Sequence, residues 1–79
     1  MRRARKHLSE KFGKAVALAR LEAGVTQEVL AGRAGLHRTY ISLVERGKRS
    51  PTLDAVESIA RALTLSASEL LRRAEGGRS

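Results

Sequence analysis

A chain of 79 residues without cysteine makes one domain, and neither a disulfide framework nor a thiolate metal site is available to it. Sixteen Lys and Arg against eight Asp and Glu give a net charge of +8, which directs the chain toward polyanions, either nucleic acid or an anionic membrane surface. His7 and His37 stand far apart without neighbouring ligands, so no metal is expected, and one Phe with one Tyr is too little for a base-stacking RNA platform.

Residues 1–8 carry Arg2, Arg3, Arg5 and Lys6 with no apolar periodicity and read as a flexible basic arm. From Ser9 to Ala23 the apolar residues Phe12, Val16, Ala19 and Ala23 recur every three or four positions, the stripe of an amphipathic helix, and Gly24 is a natural stop. Thr26 caps a second helix, Gln27 to Ala34, with Leu30, Ala31 and Ala34 on one face and Gly35 at its end. A third short helix runs from Arg38 to Arg46, with Ile41 and Val44 inward and Gly47 closing it. Lys48 to Pro51 is a loop, because the residue before proline is pushed out of the helical region. Thr52 caps a fourth helix, Leu53 to Leu63, whose inward face is Leu53, Val56, Ile59, Ala60 and Leu63. Ser66 and Glu69 have the spacing of a capping box and open a fifth helix through about Arg73. Residues 74–79, with Gly76 and Gly77, read as a flexible tail. No strand pattern or internal repeat competes. The expectation is an all-α domain of five helices over residues 9–73.

The second and third helices carry the functional signal. A turn centred on Gly35 separates them, with Ala31 four positions upstream and Ile41 six downstream. Two helices crossing steeply over a tight turn bring their backbones together near Ala31, so that side chain must be small. The turn itself requires a positive φ, which glycine adopts without strain. Ile41 and Val44 seat the third helix on the second, leaving His37, Arg38, Thr39, Ser42 and Leu43 outward, as a helix reading a major groove requires. The same spacing also suits an ordinary αα-hairpin. The basic N-terminus and the net charge favour the DNA reading. Arg38 is suited to grip guanine O6 and N7, whereas Lys48 and Arg49 in the following loop are suited to phosphates, which position rather than specify. Gln27 begins a helix whose free amides favour a phosphate oxygen.

The run TQEVLAGRAGLHRTYISLVERGKRSPTLDAVESIARAL resembles the Cro-type, lambda-repressor-like helix-turn-helix family, also called the xenobiotic-response-element family. The resemblance covers Phe12 to Leu71, and the segment GLHRTYISLVERGKR is similar to the controller proteins of restriction–modification systems. It implies a five-helix bundle that dimerises on operator half-sites. It places the first base-reading positions on His37, Arg38 and Thr39, with Tyr40 and Leu43 nearby. The implied phosphate anchors are Gln27, Ser42, Lys48 and Arg49, and the implied structural ion pair joins Arg20 to Glu45. Two positions depart from the family pattern. Leu43 stands where many relatives carry a polar base reader, so its expected contact is a thymine methyl or sugar. His37 replaces the usual capping Ser or Thr. Leu18, on the polar side of the first helix, is also unusual and reads as a lone surface leucine.

A domain of this size buries only ~60 % of its unfolded surface, and a second copy often supplies more. Leu65, Ala67, Leu70 and Leu71 offer more apolar surface than closing one helix requires, which places the expected dimer interface there. Double-stranded DNA and a second copy are thus the expected partners, with RNA polymerase as a further candidate and no membrane. No apolar run reaches the ~18 residues of a membrane span, and no apolar stretch follows the basic N-terminus as in a signal peptide, so a cytoplasmic location is expected. No catalytic triad, phosphate loop or cofactor motif is spaced plausibly, so neither an enzyme nor a cofactor is expected. The alternative function is an antitoxin-like module of the same fold whose main partner is a toxin protein.

Overall fold

The computed structural model describes residues 2–76, with side chains from residue 8 onward. Five helices follow in order: α1 (Arg2–Ala23), α2 (Gln27–Ala34), α3 (Arg38–Glu45), α4 (Leu53–Ala62) and α5 (Ala67–Ala74). Four of the starts fall where sequence chemistry puts them. Thr26, Thr52 and Ser66 each accept a hydrogen bond from the backbone N–H three residues on, at 3.1, 3.1 and 3.0 Å. His37 occupies the same position before α3 without a side-chain hydrogen bond, as its replacement of Ser or Thr implies. The capping box at Ser66 is half formed, because the Glu69 carboxylate turns instead to Arg72 and Arg73, at 3.0 and 3.3 Å.

α1 corrects the expected basic arm over 1–8. Its backbone is helical from Arg2, seven residues before Ser9. Arg, Ala, Lys and Leu are good helix formers and neither Gly nor Pro interrupts them, so the helix continues although no apolar stripe marks it. The expected tail over 74–79 is corrected at its first residue: Ala74 is buried in the core as the last residue of α5. Residues 77–79 lie outside the described residues.

α1 packs against α3 and α5, while α2 packs against α3 and α4. Between them lies one core of Phe12, Val16, Ala19, Leu30, Ala31, Ile41, Val44, Val56, Ile59, Ala60, Leu63 and Leu70. Two expected core residues stand elsewhere. Ala23 is exposed at the end of α1, beyond the last helix that could cover it. Leu53 is 83 % exposed although Ala55 and Val56 of the same turn are buried, because its position lies off the buried side of α4. Leu53 instead stands on the rim of an open apolar groove of about 440 Å³ lined by Leu8, Phe12, Pro51, Val56 and Leu71. Leu18 is exposed, as read from its position on the polar side.

Two backbone features fix how the helices meet. Gly13, in the middle of α1, lies against the last turn of α3, where an added Cβ would overlap the Val44 carbonyl oxygen and stand 2.7 Å from that of Glu45. α1 to α4 all end with the same pair of closing hydrogen bonds. At α2, for example, Leu36 N–H donates to Ala31 and Gly35 N–H to Gly32. The left-handed residue of this motif is glycine after α1, α2 and α3, but it is Thr64, with φ +63°, after α4.

Candidate nucleic-acid interface

The turn between α2 and α3 explains how the recognition surface is presented. Gly35 adopts φ +71°, Leu36 N–H donates to the Ala31 carbonyl at 2.9 Å, and the chain re-enters a helix at Arg38. Ala31 is buried where the two helices cross, and Ile41 and Val44 are fully buried beneath α3. With those residues inward, His37, Arg38 and Thr39 are exposed at the start of α3, and Ser42 and Leu43 are half-buried further along it. Leu43 is therefore less available than the first turn.

Tyr40 is half-buried and packs on the core, with the Arg49 guanidinium carbon 5.3 Å from its ring centroid. A cation held over an aromatic face is constrained in direction. This contact draws the loop after α3 toward the recognition helix, and Lys48 and Arg49 are exposed there. Arg38 forms an ion pair: its Nε lies 3.1 Å from Oε2 of Glu28 on α2.

Behind this surface Arg20 and Glu45 join α1 to the end of α3. Arg20 Nε donates to Glu45 Oε2 at 2.7 Å and Nη2 to Oε1 at 3.1 Å, while Nη1 donates to the Val25 carbonyl at 3.0 Å. The side chains are 14 % and 7 % exposed. Donation of hydrogen bonds to Glu45 is the main reason that the Arg20 pKa lies above its ordinary value; burial acts in the opposite sense. Gln27, expected at a phosphate, donates its amide N–H to Glu45 Oε1 at 2.9 Å and thereby belongs to this cluster. An amide nitrogen carries two N–H groups, so one remains for another acceptor.

The expected dimer residues divide. Leu65, Ala67 and Leu71 are half-buried, but Leu70 is fully buried in the monomer core and presents no surface. Leu65 precedes α5, and Ala67, Leu70, Leu71 and Ala74 follow the i, i+3, i+4, i+7 spacing of a single stripe that packs on the core, with Leu70 and Ala74 buried and Ala67 and Leu71 at its edge. Sequence reading also missed Glu28, whose partner Arg38 lies on another helix, and Gly13, whose neighbour is a distant carbonyl. Only tertiary structure reveals either. Among the described residues no cluster of side chains fits a metal ion, and no helix is long and apolar enough to cross a membrane.

A family model described as helix-turn-helix matches residues 16–70. The chain belongs to the helix-turn-helix family. Within it, the chain is 46 % identical over 61 residues to control protein C.BamHI of Bacillus amyloliquefaciens, covering 76 % of this chain and 75 % of the relative. The crystal structure of the restriction–modification controller protein C.AhdI from Aeromonas hydrophila superposes with a TM-score of 0.77 at 39 % identity, covering 78 % of this chain and 94 % of that one. The controller protein C.Esp1396I, solved as a tetramer on its natural 35 base-pair operator, gives 0.80 at 36 % identity, covering 87 % and 91 %. The five-helix, strand-free architecture of these described residues is the one the sequence resemblance implies.

Proposed function

We propose that the protein is a sequence-specific regulator of transcription that binds a pseudo-palindromic operator as a homodimer, in the manner of a restriction–modification controller protein. The carrying observation is the exposed first turn of α3, seated on buried Ile41 and Val44, in a chain similar to a controller solved on its operator. Arg38 reads guanine, His37 and Thr39 contact neighbouring base edges, and Leu43 touches a thymine methyl. Tyr40 supports Arg49 and offers its hydroxyl at the groove edge. Lys48, Arg49, Ser42 and the second Gln27 N–H hold phosphates.

The dimer uses the turn before α5 and the outer side of that helix, through Leu65, Ala67 and Leu71. It places two recognition helices ~34 Å apart, one DNA turn. Contact with RNA polymerase is the further interaction such a regulator takes when it activates. The proposal includes no catalysis. The named relatives are controller proteins, which favours this reading over an antitoxin whose partner is a toxin. Selection from randomised duplexes tests it. Enrichment of two inverted half-sites one turn apart is expected, and recovery of no preferred sequence overturns it. Sedimentation of the free protein at tens of micromolar should show a dimer, and monomer alone counts against the assigned interface.

A further inference from the structure

Glu28 and Arg38 are 67 % and 52 % exposed in their side chains, so their ion pair stands in solvent on the surface assigned to DNA. Exposed pairs contribute little to folding. An acid at that place also repels phosphate, which makes it a poor feature of a DNA interface unless it acts on the arginine beside it. We propose that Glu28 is a positioning residue for specificity: it holds Arg38 so that the guanidinium is offered to guanine and withheld from phosphates of other sequences. The inference rests on the reading of Arg38 as a base reader.

The chemistry follows from which edge is held. A guanidinium presents five N–H donors in a rigid fork, and the contact with Glu28 falls on Nε, the edge nearest the chain. The two terminal nitrogens suit guanine O6 and N7, so a guanine satisfies Arg38 while Glu28 stays in place. A phosphate must instead draw the guanidinium away from Glu28 or approach the carboxylate itself. Random DNA therefore loses a cation that the operator uses. The neighbouring side chain shows that this placement is not a general property of the start of α2. Gln27 turns to Glu45 at the far end of α3, while Glu28 reaches Arg38 at its start. Glu28 also complements the N-terminal dipole of α2 and adds to the field that keeps Arg20 charged. A purely structural role of that kind leaves sequence discrimination unchanged.

The test titrates the wild-type chain, Glu28→Gln, Arg38→Ala and the double variant against the selected operator and a scrambled duplex at several salt concentrations. Glu28→Gln should bind scrambled DNA about fivefold more tightly, the upper end for an exposed pair, and the operator within about twofold of wild type. Its salt dependence on scrambled DNA should steepen by about 1 in log–log slope, one phosphate contact more. In the Arg38→Ala background the same change should alter neither discrimination nor slope. Equal strengthening of both duplexes by Glu28→Gln, or a discrimination change that survives without Arg38, overturns the proposal. Equal losses on both duplexes for Arg38→Ala alone form a different pattern, and they overturn the base-reading assignment together with the role of Glu28.

Discussion

Replacing Glu45 by alanine removes the acceptor shared by two arginine nitrogens and one amide nitrogen. Three hydrogen bonds of 2.7, 3.1 and 2.9 Å are lost, two of them from a guanidinium. Removing one partner of a buried ion pair costs about 3–5 kcal/mol. Arg20 keeps the Val25 carbonyl at 3.0 Å and is 14 % exposed, which sets the expected loss at the lower end, ~3 kcal/mol. A domain of this length has roughly 4–12 kcal/mol in total, at ~0.05–0.15 per residue. Urea unfolding followed by circular dichroism, at equal protein concentration, should show the midpoint falling by about 3 M for an m-value near 1 kcal/mol/M. Glu45→Gln keeps one oxygen but not the charge and should lose about half as much, ~1.5 kcal/mol, the worth of a charge-assisted hydrogen bond. Arg20→Met combined with Glu45→Leu should be less damaging than Glu45→Leu alone, since no charge is left stranded. Because the folded-state pKa of Arg20 is raised, its contribution is complete below the ordinary arginine value and is lost only as pH rises through the higher one. The contribution of Arg20 should therefore stay constant from neutral to moderately alkaline pH. Unfolding of Glu45→Gln at the wild-type midpoint would refute the reasoning.

Two further substitutions probe the backbone. Gly13→Ala should destabilise by ~1–3 kcal/mol through the overlap with the end of α3, despite alanine being the better helix former, and thermal melting should fall by at least ~4 °C. An unchanged or raised melting temperature contradicts the close approach. Thr64→Gly should stabilise by about 1 kcal/mol, because it relieves a left-handed backbone that the other four helix ends assign to glycine. A loss of stability in the same melt shows that Thr64 contributes something beyond that conformation.

Helix starts were the most legible part of the sequence, because a capping hydroxyl acts within three residues of itself. Thr26, Thr52 and Ser66 cap as their spacing predicts. Apolar periodicity located most of the core but misplaced Leu53, since a three-residue step turns a helix by only about 300° and carries the stripe onto its exposed flank. It also missed the N-terminal extension of α1, where helix propensity acts without an apolar face. At the interface the turn at Gly35 and the exposed start of α3 could be read directly, and the resemblance supplied the Arg20–Glu45 pair. Gln27 shows what neither reveals. Its residue type and place suit a phosphate, yet the folded chain brings it to Glu45 across 18 positions. The Glu28–Arg38 pair has the same origin, in the crossing of α2 over α3.

Division of labour between specifying and positioning residues is the central claim. Titration of Arg38→Ala and Lys48→Ala against operator and scrambled duplex over a range of salt concentrations tests it most directly. Arg38→Ala should cost ~1–3 kcal/mol on the operator and much less on scrambled DNA. Lys48→Ala should weaken both duplexes about equally and reduce the salt slope by ~1. Equal losses on both duplexes for Arg38→Ala would contradict the account and move specificity to Thr39, Tyr40 or the shape of the DNA.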